Sequence, residues 1–302
     1  MIEARGLTKK YGARVAVDNL SFDVQPGVVT GFLGPNGSGK STTMRLLLGL
    51  DRPNAGVATF DGKPYTSYAQ PLREVGALLD AAYLHPTRKA RAHLHAVAAS
   101  NGLSPGRVSE VLAMVGLTEV AEKRTGGFSL GMKQRLGIAA AMLGDPRTLL
   151  LDEPANGLDP EGVRWIREFL KHLASQGRTV LVSSHLLSEV ALMADRLIVI
   201  GKGSLISSTT VDEFVRQFGH SWVRVKSPSM AALSQHLQAM GATLQFEDPL
   251  TAHVYGASAT DIGTVAASNG IVLHQLADQT GSLEDAYLEV TNQTVEYRGA
   301  PK

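Results

Sequence analysis

The 302-residue chain contains no cysteine. Disulfides and thiol chemistry are therefore excluded, and the expected compartment is a reducing one. Long apolar runs are missing too. No stretch of about 18 apolar residues occurs, so no helix of this chain is expected to span a membrane. The first residues, MIEARGLTKKYG, lack the apolar core of a secretory signal. Net charge is almost absent: at +1, no global field selects a nucleic acid or an anionic lipid surface. The expectation is a cytoplasmic protein that binds no nucleic acid and reaches a membrane only by docking on another protein.

What is present suggests about two domains of ordinary globular composition. Strands are expected at Ile2–Arg5, Ala16–Val24 and Val28–Leu33, with a turn at Gln25-Pro26-Gly27. A glycine-rich loop, Gly34 to Gly39, precedes a helix from Lys40 to about Leu48, and Gly56–Phe60 reads as another strand. Residues 88–144 are helical and Ala/Leu-rich, interrupted at Gly102, Pro105 and Gly126-Gly127. Strands at Thr148–Leu151, Thr179–Ser183, Arg196–Ile200 and Gly203–Ser207 then alternate with helices at Gly162–Ser175 and Leu186–Ala194. Such alternation argues for an α/β core. From Trp222 the order becomes βαββαβ, the pattern of a ferredoxin-like unit, with its last strand at Ile271–Leu276. Ser282-Leu283-Glu284-Asp285 has the acidic first turn of a final helix. The expected domains are 1–218, with a helical subdomain at about 84–145, and 219–302.

The segment Gly34-Pro35-Asn36-Gly37-Ser38-Gly39-Lys40-Ser41 fits G-x-x-x-x-G-K-[ST] at every position, between a strand and a helix. Its glycines let backbone N–H groups turn inward around nucleotide phosphates, and the helix N-terminus adds partial positive charge. Lys40 is expected on the β/γ-phosphate oxygens and Ser41 on Mg²⁺. The apolar run Thr148–Leu151 ends in Asp152-Glu153. A carboxylate at the C-terminal end of a buried parallel strand faces the ligand crevice. Asp152 is expected to hold Mg²⁺, directly or through water, and Glu153 to orient the attacking water. His185 also ends a strand and is a candidate donor to a γ-phosphate oxygen. Phe128-Ser129-Leu130-Gly131-Met132-Lys133-Gln134-Arg135 opens a helix, and Ser129 is placed to cap it.

In this order, with Asn156-Gly157-Leu158-Asp159 following Asp152-Glu153, the motifs over residues 2–218 resemble the nucleotide-binding subunits of ATP-binding-cassette (ABC) transporters. The resemblance implies a P-loop ATPase core with an N-terminal antiparallel β subdomain and a helical signature subdomain. It implies ATP as ligand, with Thr42 completing the phosphate loop and Tyr11 stacked on adenine. FSLGMKQR matches the family signature at Ser129 and Gly131 but carries Leu130 and Met132 where glycine and glutamine are usual. In the family that motif meets the nucleotide of a second subunit, and Asp159 would lie at the same seam. Asp80 stands where the family usually carries a Mg²⁺-sensing glutamine, and is a candidate metal ligand or an ordinary loop acid. The motif set, with SLEDAYLEVT near the C-terminus, is similar to bacterial exporters of the bacitracin and daunorubicin resistance type.

The implied partners are a separately encoded membrane permease and a second ATPase subunit, identical or homologous. The implied activity is ATP hydrolysis driving export of a drug, antibiotic or other amphipathic compound. The competing expectation is an ABC ATPase that transports nothing and acts on the ribosome, DNA or another enzyme. The basic stretch Thr87-Arg88-Lys89-Ala90-Arg91-Ala92-His93-Leu94 is either a permease contact or a solvated face. The C-terminal α+β domain has three open roles: regulator binding, bracing a dimer, and stabilising the fold.

Overall fold

The computed structural model describes residues 1–80, 84–184, 186–219, 221–279 and 281–291. His185, a candidate from the sequence, lies outside the described residues. Among the described residues the chain forms two compact units, one over Met1–Val211 and the second starting at Asp212 and reaching Thr291. The sequence pattern placed this division later, after residue 218.

The first unit begins with β1 (Ile2–Tyr11) and β2 (Arg14–Val24), which form an antiparallel pair. With β4 (Ala55–Phe60) on the other side of β1, they make a three-stranded sheet. β1 runs beyond the expected Arg5. Gly6 adopts φ 59°, and register shifts around it absorb the irregularity. Leu7 is thereby returned to the buried side.

The second sheet is the scaffold of the site. It is ordered β5 (Val75–Leu78), β6 (Thr148–Asp152), β7 (Thr179–Ser183), β3 (Val29–Leu33), β8 (Arg196–Gly201) and β9 (Ser204–Thr210). All neighbours are parallel except the β8–β9 pair. Of the four inner strands, β6, β7 and β3 are buried at almost every position because both faces are covered. Leu149 and Leu151 of β6 join one core cluster, and Leu150 between them joins the other. Val180, Val182 and Leu181 of β7 divide in the same way, as the period of two requires. The first cluster holds the helices of residues 90–141 and the second the three-stranded sheet.

Helix α1 (Lys40–Leu47) follows β3 across the loop of residues 34–39, and the short α2 (Pro71–Glu74) precedes β5. The helical region contains α3 (Ala90–Ser100), α4 (Gly106–Met114) and α5 (Leu130–Ala141). α5 is buried at Gln134, Leu136, Gly137, Ile138, Ala139 and Ala141, so it is a core helix rather than a surface one. α6 (Pro160–Ser175) and α7 (Leu187–Met193) complete the alternation. The basic stretch is engaged internally: Glu122 accepts from Lys89 at 3.0 Å and Arg91 at 2.9 Å.

α8 (Val211–Phe218) was not expected from the sequence. β10 (Trp222–Lys226), α9 (Met230–Ala239), β11 (Thr243–Asp248), β12 (Thr251–Tyr255), α10 (Ala259–Ser268) and β13 (Gln275–Gln279) follow. The sheet order β11-β12-β10-β13, antiparallel throughout, is the ferredoxin-like topology the pattern predicted. The last strand corrects the expected Ile271–Leu276. Ile271 and Leu273 instead pack beneath the sheet, and pairing with β10 starts at Gln275. α11 (Leu283–Thr291) starts at Ser282, whose hydroxyl and Asp285 exchange capping bonds.

Candidate nucleotide site

The loop Gly34–Gly39 lies at the C-terminal end of β3, between β7 and β8. Gly37 and Gly39 take φ 81° and 103°, left-handed conformations that a side chain would strain. A Cβ on Gly39 would also meet the Ala16 carbonyl. The loop closes through Ser38 N–H donating to Pro35 O at 3.0 Å, and Thr43 Oγ1 donates to Gly39 O at 2.8 Å. Lys40 folds back over the loop, with Nζ donating to Gly34 O at 2.5 Å and Pro35 O at 3.3 Å. Burial lowers the Lys40 pKa, opposed by Glu153 and Asp152. A cation held back from full solvation beside an open loop is suited to an anionic ligand.

β6 delivers Asp152 opposite this loop. Ser41 Oγ donates to Asp152 Oδ2 at 2.8 Å, and the Ser183 hydroxyl donates to Oδ1. Ser183 in turn accepts from Glu153 N–H at 3.0 Å. One hydroxyl at the end of β7 therefore ties together the two acids that end β6. Glu153 itself adopts φ 51°, a left-handed conformation that costs a non-glycine residue about 1–3 kcal/mol. Backbone strain of this kind persists only where surrounding bonds over-determine it. Its N–H reaches Ser183 O as well as the hydroxyl, and its carbonyl accepts from Asn156 N–H at 3.1 Å and Gln134 Nε2 at 3.0 Å.

A cleft of about 670 Å³ opens here, lined by Tyr11, Asn36–Thr42, Asp80, Asp152 and Glu153. Arg14, Ala16 and Leu79, which sequence reasoning did not single out, also line it, as do Leu130, Gln134 and Asn156 from the signature and the segment after Glu153. Asp80 follows β5, the neighbour of β6, so parallel pairing carries it to the same rim as Asp152. Tyr11 is half exposed and oriented by Asp51: its hydroxyl donates to Asp51 Oδ2 at 2.9 Å. Arg45 holds the same carboxylate at 2.8 and 3.1 Å, and this bond brings the Asp51 pKa down to about 2. Lys9 Nζ stands 5.1 Å from the Tyr11 ring centroid.

Ser129, Gly131 and Asp159 do not line the cleft. They form a second surface. Ser129 caps α5, accepting from Met132 N–H at 3.2 Å, and Asp159 caps α6, accepting from Gly162 N–H at 2.8 Å. The first turn of α5 packs against the segment that leads into α6: a Cβ on Gly131 would come within 3.1 Å of Gly157 O. Gly157, at φ 71°, leaves room only for the Leu130 side chain against it. The unusual leucine of the signature thus fills a space that the glycine of Asn156-Gly157-Leu158-Asp159 provides.

Comparison with known proteins gives the family. An ABC transporter family model matches residues 17–156. The ATP-binding protein YhcH of Bacillus subtilis is 37% identical over 98% of this chain and 97% of its own length. The chain belongs to the ATP-binding proteins of ABC transporters. It is an ATP-binding, ATP-hydrolysing P-loop protein. Another family member, the bacitracin transport ATP-binding protein BcrA of Bacillus licheniformis, is 32% identical over 96% of this chain and 97% of its own. The lantibiotic transport ATP-binding protein SrtF of Streptococcus pyogenes is 37% identical over 70% of this chain and 92% of its own. The ABC fold is shared with a solved ATP-binding subunit of an ABC transporter at TM-score 0.66 and 27% identity, covering 72% of this chain and 93% of that one. Residues 221–284 match a family described as a domain of unknown function. Among the described residues no helix is long and apolar enough to cross a membrane.

Proposed function

We propose that the chain is the ATPase subunit of an ABC exporter and that its catalytic site is completed by a second ATPase subunit. The observation that carries this reading is the separation of two surfaces. The phosphate loop, Asp152 and Glu153 share the cleft; Ser129, Gly131 and Asp159 lie off its lining, which Leu130 and Gln134 of the same helix reach. A capped helix N-terminus whose Ser129 and Gly131 do not line their own cleft suits the γ-phosphate of a neighbour's ATP.

In this reading Tyr11 stacks on the adenine, and the N–H groups of Gly34–Thr42 surround the phosphates. Lys40 moves from the Gly34 and Pro35 carbonyls onto β/γ-phosphate oxygens. Ser41 and Asp152 offer hard oxygen donors side by side, a donor set that fits Mg²⁺ shared with a nucleotide. Asp80 is a further oxygen ligand on the same rim. When bound there, the metal supplies charge neutralisation on the phosphates. Glu153 orients a water for attack at the γ-phosphorus and accepts its proton. The bond from that phosphorus to the ADP oxygen breaks, leaving ADP and phosphate. His185 serves as a donor to the γ-phosphate. Ser129 and Gly131 of the second subunit close the site, with Asp159 at the seam.

The partner at the membrane is a separately encoded permease, which places this subunit on the inner face of the cell membrane. Bacitracin and lantibiotic transport relatives support a peptide antibiotic or similar amphipathic cargo. The same relatives favour transport over a role on ribosome or DNA. Co-purification from membranes with a polytopic protein, and bacitracin sensitivity of a deletion strain, test this reading. Recovery with ribosomes and unchanged drug sensitivity would overturn it.

A further inference from the structure

One polar side chain in the site region has no role in the scheme above. Gln134 lies in the middle of the buried run of α5 and is only 5% exposed. Its Nε2 donates to the Glu153 carbonyl at 3.0 Å, and that carbonyl can only accept, which sets the orientation of the amide. Its other half is unsatisfied: Oε1 is buried without a hydrogen-bond partner. As packing this is a poor choice, because a buried amide with an unpaired oxygen is less stable than an apolar side chain of the same length. The donor is what an apolar residue would forfeit. It acts on the residue whose backbone is held at φ 51°.

We propose that Gln134 is a positioning residue for Glu153. Ser183 grips the Glu153 N–H from β7, and Gln134 grips its carbonyl from α5. Between them the peptide units on both sides of the Glu153 Cα are held by side chains of two different elements. The carboxylate is aimed into the cleft by that grip, without Gln134 touching the nucleotide. Gln134 stands on the helix that Ser129 caps, so the signature helix is also the element that holds this chain's own base.

The inference rests on Glu153 being the residue that orients the attacking water, and the test keeps the two apart. In the full chain with ATP and Mg²⁺, Gln134→Met retains length and apolar volume but has no donor. It is expected to lower kcat about 10- to 100-fold, the scale of a misplaced catalytic group, with KM and ATP affinity unchanged. The same substitution is then made in Glu153→Gln and read by single-turnover hydrolysis, where it is expected to cause no further loss. An equal fold-loss in both backgrounds, or a change in KM with kcat intact, would overturn the positioning role. If Gln134→Met does not fold, Gln134→Glu, isosteric and without a donor at neutral pH, is taken through the same cycle with the same expectations. Normal turnover in Glu153→Gln alone would refute the base assignment instead.

Discussion

Ser41 Oγ and Asp152 Oδ2 lie 2.8 Å apart, joining the phosphate loop to the end of β6 across 111 residues of sequence. In the proposed site this contact joins a phosphate-side group to a metal-side one. Asp152→Asn keeps the shape but removes the charge. It is expected to lower Mg²⁺-dependent hydrolysis at least about 100-fold, the scale seen when a preorganised electrostatic group is lost. Nucleotide binding without metal should persist. Steady-state kinetics against Mg²⁺ concentration, with ATP binding measured in EDTA, check this.

Tyr11 is held through its hydroxyl by Asp51, which Arg45 anchors in turn. A ring so held is a preorganised platform for a purine. Tyr11→Ala is expected to weaken ATP binding by about 1–3 kcal/mol, roughly five- to hundredfold in Kd. Tyr11→Phe loses only the tether, and Asp51→Ala should reproduce its smaller effect. Tyr11→Phe and Asp51→Ala should not add when combined. Equilibrium titration with a fluorescent ATP analogue reads all four variants.

The second surface predicts a different pattern. Ser129→Arg should abolish hydrolysis while leaving ATP binding to the same chain intact. Leu130→Gly should change turnover only modestly, since the side chain faces Gly157. Gly157→Ala should be more damaging than either local exposure or size suggests. It places a Cβ into Leu130 at a backbone φ of 71° and should lower stability by at least about 1 kcal/mol. Chemical denaturation alongside ATPase assays separates the stability effect from the catalytic one.

Burial pushes the Tyr287 phenol up to about 12. In the unfolded chain a tyrosine ionises near 10. Between those values the unfolded state releases a proton that the folded state keeps. Stability contributed by the neutral phenol is therefore complete below about pH 10 and lost as pH rises towards 12. Tyr287→Phe should flatten the alkaline fall in melting temperature. Equal slopes for the two proteins between pH 10 and 12 would show that the group is not buried in the folded state.

The site was legible in the sequence wherever its chemistry is local. The loop Gly34–Ser41 and the pair Asp152-Glu153 carry residue types that only phosphate and metal chemistry requires at those spacings. The Ser129 cap was legible for the same reason, because a cap bonds within its own turn. Gln134 and Ser183 were not, since their meaning comes from contacts to Glu153 and Asp152 made across the core. The strand at Ile271–Leu276 was misplaced because apolar alternation there serves packing beneath the sheet, while the pairing segment Gln275–Gln279 is mostly polar. α8 did leave a signal, Asp212 and Glu213 in its first turn and Arg216 in its last, but only two turns of it.

The central claim is that ATP is hydrolysed in a site two subunits build together. Light scattering of purified Glu153→Gln with saturating ATP and Mg²⁺, beside its turnover rate, tests it most directly. The account predicts a stable ATP-bound pair of ATPase subunits that hydrolyses at a small fraction of the wild-type rate. A Glu153→Gln protein that stays a single subunit and turns over normally would contradict it.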